Sequence, residues 1–152
     1  MKSVFDTPFE MSIRLTLLLL SSGTAKTADM LALTDTIAIY GGEFGIAAKN
    51  LHGGIDYVLD EYDTRRELIK TALKDLTLRE LVNVSEYDDG FRYSLSGKGA
   101  EFTDRLESDY AVEYLELART ANKLTAAMSE REVFARISKV CEDTFNRRRA
   151  NG

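Results

Sequence analysis

The sequence predicts a mainly helical protein with one small β-hairpin, arranged as a winged helix-turn-helix followed by a C-terminal helical extension. Three observations lead to this prediction. Helix-start signals precede several apolar or amphipathic segments. After Leu81 the spacing of apolar residues changes from the helical period to every second residue. An Asp-Gly turn then joins two short segments that alternate between apolar and polar residues. We place the winged-helix domain at residues 1–107 and the extension at residues 108–152.

Three helices are predicted before the hairpin. Residues 7–10 read Thr-Pro-Phe-Glu, a capping box with proline at the first helical position, so a helix should run from residue 8 to about residue 20. Thr27 caps a second helix that reaches about Tyr40 and stops at two glycines. Residues 64–67 form another capping box, and the apolar stripe behind it predicts the third helix.

The remaining elements follow the hairpin signal. Residues 82–95 alternate between apolar and polar on either side of an Asp-Asp-Gly turn, which predicts two antiparallel strands. Further helices are expected from about residue 97 to 106, from 108 to 128 and, behind a capping box at residues 129–132, to the end of the chain. The segment from Gly41 to about Asp63 holds five glycines and is predicted to be a long loop, a feature that is often functional.

Composition and charge restrict the function. Of the 152 residues, 44% are apolar and 30% charged, which is typical of a globular chain that builds a core. The net charge of −5 makes unaided binding of nucleic acid unexpected. The apolar run at residues 15–20 is too short for a membrane span, so no membrane contact is expected. With no signal-like segment and one cysteine, we expect a cytoplasmic protein.

No residue pattern predicts catalysis, so we expect neither an enzyme, a metal site nor a cofactor. One histidine and one cysteine cannot form a Cys/His zinc site. Cys141 lies on the apolar stripe of the last helix, which favours core packing, and His52 lies in the glycine-rich loop without a surrounding base–orienter arrangement. Residues 97–99 read Gly-Lys-Gly but lack the spacing of a phosphate-binding loop.

A basic stripe on the third helix is the candidate for DNA contact. In a winged helix this face points away from the core and toward the DNA. The candidate residues are Arg65, Arg66, Lys70 and Lys74, with Arg92 on the hairpin. The alternative is a solvated face with local salt bridges, and Asp88 and Asp89 at the wing tip would repel phosphates.

The glycine-rich loop is the candidate surface for a protein partner. Its candidate contact residues are Phe44, Asn50, Leu51, His52 and Tyr57. Three arginines at residues 147–149 complement the negative end of the last helix dipole, and they are an alternative contact for an acidic partner or nucleic acid.

Several segments in order resemble the middle components of bacterial ABC-three-component systems. The start at residues 7–20, the second-helix stretch 31–40 and the Asn-Leu-His-Gly of residues 50–53 carry the likeness. So do Arg-Arg-Glu-Leu-Ile at residues 65–69, Leu81-Val82, and the strand exit at residues 93–99. The likeness covers roughly residues 5–137, and the chain departs from it at Glu80, where the family often has glycine.

The resemblance implies a role that the composition does not. Middle components link an SMC-like or Rad50-like ABC ATPase to an effector, often a nuclease, in anti-phage or anti-plasmid defence, as in Lamassu systems. We therefore expect a non-catalytic accessory subunit whose partners are such an ATPase, the effector nuclease and, within the complex, double-stranded DNA. The alternative is a stand-alone transcriptional regulator that forms a homodimer through the C-terminal helices.

Overall fold

The structure is a computed structural model that describes residues 7–55 and 58–151. Within these ranges the chain forms six helices and a three-stranded sheet. In chain order the elements are α1 (Pro8–Ser22), β1 (Lys26–Thr27), α2 (Ala28–Ile39), α3 (Tyr62–Leu78), β2 (Val82–Tyr87), β3 (Gly90–Leu95), α4 (Gly97–Asp104), α5 (Asp109–Thr125) and α6 (Glu130–Asn151). The predicted mainly helical class with a small sheet is confirmed. None of the described helices is both long and apolar enough to cross a membrane.

Helix α2 is the centre of the core. Every residue from Leu31 to Ile39 is buried, and α1, α3, α5 and α6 all pack against it. Helix α1 is also apolar on nearly all sides and lies between α5 and α3. As predicted, the Thr7 hydroxyl accepts a hydrogen bond from the Glu10 amide at 3.2 Å, and Gly23 ends the helix in the left-handed conformation. The core therefore includes both the N-terminal helices and the C-terminal ones.

The sheet contains one strand more than the sequence predicted. Strands β2 and β3 form the expected hairpin, with Val82 opposite Leu95 and Tyr87 opposite Gly90. The two-residue strand β1 adds to the free edge of β3 in antiparallel fashion, which gives the order β1-β3-β2. A strand this short carries no period of its own, so a pattern search passes over it.

Helix α3 begins two residues before the predicted capping box. The Tyr62 amide donates to the Leu59 carbonyl at 3.4 Å, so the chain is already turning when the helix starts. Glu61 is the N-cap residue and makes no side-chain capping bond, and Thr64 falls inside the first turn. By contrast, the capping box before α6 is complete, since Ser129 and Glu132 exchange two backbone-to-side-chain bonds of 3.2 Å.

The end of α3 is an unusual helix stop. Glu80 has a φ of +64°, the one non-glycine residue in the described ranges with a positive φ. The Leu81 amide donates to the Leu76 carbonyl and the Glu80 amide to the Thr77 carbonyl, each at 3.0 Å, which is the Schellman pattern. This left-handed position is where the resembled family often has glycine.

The chain then packs tightly where the hairpin meets α4. A Cβ on Gly99 would lie 2.1 Å from the Leu81 carbonyl oxygen, so only glycine fits there. The Ser96 amide donates to the same carbonyl at 3.1 Å, and the Ser96 hydroxyl caps α4 by accepting from the Gly99 amide. These contacts fix the base of the hairpin on the end of α3.

Candidate functional site: a groove between the third helix and the hairpin

An open groove of about 630 Å³ separates the outer face of α3 from the sheet. Its residues come from the start of α2, the second half of α3, the hairpin and the first residue of α6. They are Thr27, Ala28, Asp29, Lys70, Lys74, Thr77, Leu78, Val84, Asp89, Phe91, Tyr93 and Glu130. Two of the four basic residues predicted on the third helix, Lys70 and Lys74, therefore border a concave surface.

The floor of the groove is apolar because of the strand register. Val84 lies opposite Tyr93, and Phe91 is opposite Glu86, two residues from Val84, so Val84, Phe91 and Tyr93 share one face of the sheet. That face extends beyond the part of the hairpin that covers the core. Phe91 is 59% exposed, Val84 is 43% exposed, and Leu78 on the facing helix is 76% exposed. Clustered apolar side chains of this size indicate a binding surface.

Lys70 and Lys74 form the helical wall of the groove. Both are exposed and stand four residues apart on α3, so they follow one another along one side of the helix. Lys70 makes a 3.7 Å ion pair with Glu67, and Arg66, one turn earlier, is paired with Asp29 of α2. The hydrogen bond to Asp29 raises the pKa of the Arg66 guanidinium. Arg66, a member of the predicted stripe, is thus engaged in an ion pair within the protein.

Burial corrects the prediction for Arg65. Its side chain is only 3% exposed, and its guanidinium lies over the Tyr40 ring, 5.7 Å from the centroid. Arg65 and Arg66 are neighbours in the sequence, but consecutive residues of a helix lie on different faces. Arg65 is a core residue and is not part of the groove.

Arg92 is exposed but engaged within the hairpin. Its guanidinium makes two hydrogen bonds to the Asp89 carboxylate, at 3.1 and 2.7 Å, and lies 4.8 Å from the centroid of the Tyr87 ring. The hydrogen bond from Arg92 lowers the pKa of the Asp89 carboxyl. The charge of Arg92 therefore compensates that of Asp89.

The glycine-rich loop is ordered by its own side chains. Asn50 accepts from the Glu43 amide at 3.1 Å and donates to the Gly53 carbonyl at 2.7 Å, so it holds the loop closed. Phe44 is buried, and Leu51 is half-buried against the core. The predicted contact residues of this loop are thus largely occupied in its folding, and Tyr57 lies outside the described residues.

His52 connects this loop to a buried polar network. Its Nε2 atom lies 2.8 Å from the Tyr110 hydroxyl of α5. Tyr110 accepts a 3.5 Å hydrogen bond from Arg14, whose guanidinium makes two bonds to Asp35, at 2.9 and 3.1 Å. Tyr114 donates to the same carboxylate at 2.7 Å. The network joins α1, α2, α5 and the loop.

The charges of this network stabilise one another inside the core. Burial alone would raise the pKa of Asp35, but the charge of Arg14 and the hydrogen bonds from Arg14 and Tyr114 outweigh it, so the pKa is lowered. Burial raises the pKa of Tyr110 to about 12. Sequence reasoning missed this network. The signal was present, because Arg14 and Asp35 each place a charge among the apolar residues of a helix.

Two observations concern metal ligands and the single thiol. In residues 7–55 and 58–151, no three His, Cys, Asp or Glu side chains are grouped as metal ligands would be. Cys141 is half-buried on α6 against the core, and burial raises the pKa of its thiol. This environment disfavours the reactive thiolate form.

The fold and the groove define a small, mainly helical protein with an open apolar surface edged by lysines. The chain belongs to the family of ABC-three component (ABC-3C) system Middle Component 2, whose model matches residues 4–147. No significant match to a curated protein or to a solved structure was found. Membership of a multi-component system means that other components of that system are its partners, and the resemblance noted in the sequence is confirmed at this level.

Proposed function

We propose that this protein is a non-catalytic accessory subunit of an anti-phage or anti-plasmid defence complex. In this role it bridges an SMC-like or Rad50-like ABC ATPase of the Lamassu type and an effector nuclease. The family match over residues 4–147 carries the proposal, because it assigns the chain to the middle position of a three-component system. The groove beside the hairpin supports it, since exposed apolar surface of this kind is typical of a site for protein contact.

The element order supports a winged helix-turn-helix as the architecture of this subunit. Three helices precede the hairpin, and β1 adds to β3 directly before α2. In this interpretation α3 takes the place of the recognition helix and β2–β3 form the wing. Residues 1–107 would be the winged-helix domain and residues 108–152 its extension, with α5 and α6 packed on the shared core.

DNA contact is an auxiliary part of the proposal. Lys70 and Lys74 are the exposed basic residues of the stripe, and within an assembled complex they would lie beside the wing. The net charge of −5 and the carboxylates of Asp88 and Asp89 oppose tight binding by the chain alone. We therefore expect the isolated protein to bind duplex DNA weakly and with a steep dependence on salt.

Co-expression tests the proposed function directly. The chain is produced with the ABC ATPase and the effector encoded beside it, and affinity purification on the ATPase is followed by native mass spectrometry. We expect a stable complex that contains this chain, and loss of the effector from the ATPase when the chain is omitted. Purification of the ATPase and effector together without this chain would contradict bridging.

The stand-alone regulator makes the opposite predictions. Such a protein would form a dimer without the other components and would bind a palindromic DNA site tightly. Sedimentation and DNA footprinting on the isolated chain distinguish the two, because specific regulators bind their sites far more tightly than they bind other DNA.

A further inference from the structure

We propose that the groove between α3 and the hairpin receives an amphipathic helix from another component of the system. This helix would place its apolar face on Leu78, Val84 and Phe91, and two carboxylates one turn apart against Lys70 and Lys74. The inference rests on the proposed function, since it names the surface by which the subunit holds a partner.

The apolar floor points to a protein segment as the occupant. Leu78, Val84 and Phe91 lie on both sides of the groove and remain exposed in the isolated chain. Protein–DNA interfaces are more polar and more positively charged than protein–protein interfaces. A phosphate backbone would leave these side chains uncovered, whereas apolar residues of a helix would remove them from water. The inference therefore assigns Lys70 and Lys74 to the partner helix in place of the auxiliary contact with DNA.

The charges around the groove indicate the charge that a bound segment should carry. On the hairpin side, Asp89 is paired with Arg92 and Asp29 with Arg66. The other carboxylate of the lining, Glu130 at the far rim, accepts a hydrogen bond from the Thr27 hydroxyl. On the α3 side, Lys70 has one weak exposed pair with Glu67. Among the side chains the structure describes, none forms an ion pair with Lys74. The two lysines make the α3 side of the groove positive, so the segment that fits carries carboxylates on that side.

The spacing of the lysines favours a helix. Four residues of α-helix rise about 6 Å, so Lys70 and Lys74 present two charges about one turn apart. Carboxylates at i and i+4 of a facing helix have the same separation. From Lys70 to Leu78 the wall rises about 12 Å, which matches two to three turns of a bound helix.

The test uses the complex obtained by co-expression. Hydrogen–deuterium exchange of the complex against the free chain should show protection of β2, β3 and the second half of α3. Cross-linking mass spectrometry from Lys70 and Lys74 with a carboxylate-reactive reagent should identify the partner segment. We expect that segment to be helical, with an apolar stripe and carboxylates at i and i+4.

Three variants sharpen the test. Phe91→Ser should weaken binding of the partner by about tenfold or more, as expected for loss of a central aromatic contact. The double variant Lys70→Glu with Lys74→Glu should also weaken it by about tenfold at low salt, and the defect should shrink at high salt. Phe9→Ser is the matched control, since Phe9 is 68% exposed but outside the groove, and its affinity should stay that of the wild type.

The outcomes separate this inference from the proposed function. If the wild-type chain joins no complex, both fail. If the complex forms but Phe91→Ser and the charge-reversal variant, shown by circular dichroism to be folded, bind as the wild type does, the groove inference alone fails. Protection of the same segments by duplex DNA alone, or by self-association of the chain, would assign the groove to another occupant and overturn the inference.

Discussion

Replacing Glu80 by glycine should stabilise the protein, although glycine usually weakens a fold. Glu80 holds a φ of +64° at the Schellman stop of α3. A residue with a Cβ in this conformation costs about 1–2 kcal/mol, which glycine avoids. Glycine in turn loses about 0.5–1 kcal/mol because its unfolded chain has more freedom. The net expectation for Glu80→Gly is a gain of about 0.5 kcal/mol in the free energy of unfolding.

Little else is lost in this substitution. The Glu80 carbonyl that accepts from the Ser96 hydroxyl at 2.7 Å belongs to the backbone and is retained. The carboxylate lies 4.0 Å from the Lys98 ammonium in an exposed pair, and such pairs contribute close to nothing. The left-handed backbone therefore dominates the expected effect.

Urea unfolding followed by circular dichroism measures the difference. Glu80→Ala is the matched control, because it removes the carboxylate but keeps the Cβ, and we expect it within about 0.3 kcal/mol of the wild type. The melting temperature of the glycine variant should rise by roughly 1–2 °C. If the glycine variant is less stable than the alanine variant, the argument from the left-handed conformation is refuted.

Other sites give predictions of larger size. Gly99→Ala should lower the free energy of unfolding by about 2 kcal/mol or more, because the added Cβ would lie 2.1 Å from a backbone oxygen. Gly97→Ala in the same helix is the control, since its Cβ would have no atom within 4 Å, and it should be neutral or stabilising. Asp35→Asn removes the counter-ion of the buried Arg14 and should cost about 3–5 kcal/mol in urea unfolding at neutral pH. Folding lowers the pKa of Asp35 below 3.8, so the ion pair stabilises the wild type fully above that pH. This stabilisation is lost as the pH falls through the pKa of Asp35 in the folded protein. Unfolding curves from about pH 5 to 2 should therefore show a loss of stability in the wild type that the Asp35→Asn variant lacks. Tyr110→Phe should cost about 1 kcal/mol and speed amide exchange in the glycine-rich loop, and unchanged exchange there would contradict a link between loop and network.

Most of the helices could be predicted because their signals are local. Capping residues and apolar stripes lie within a few positions of one another, so Thr7, Thr27 and Ser129 mark true helix starts. The predicted start of α3 at Thr64 is wrong, because the chain already turns before Tyr62 and the helix begins there without a side-chain capping bond. Strand β1 was missed because two residues pair with a strand more than sixty positions away.

The candidate site was only partly predictable for a similar reason. The stripe of Lys70 and Lys74 is a local pattern, and the structure places both on the surface. That Arg65 is buried depends on Tyr40, far away in sequence. The groove itself arises from the strand register and from the packing of the hairpin on α3, which bring Val84 and Leu78 to one surface. Such a surface has no signature in a single stretch of chain.

Helix α6 sets a fixed distance between two parts of the surface. Its first residue, Glu130, bonds Thr27 at the rim of the groove, and Thr144, fourteen residues later, bonds Glu43 of the glycine-rich loop at 3.4 Å. At 1.5 Å per residue these points are about 21 Å apart along one continuous helix. Between these two contacts Val133 and Ile137 are buried in the core, so the helix holds the groove rim and the loop at a set separation. Inserting a single residue into α6 would rotate one end by about 100° relative to the other and break that alignment.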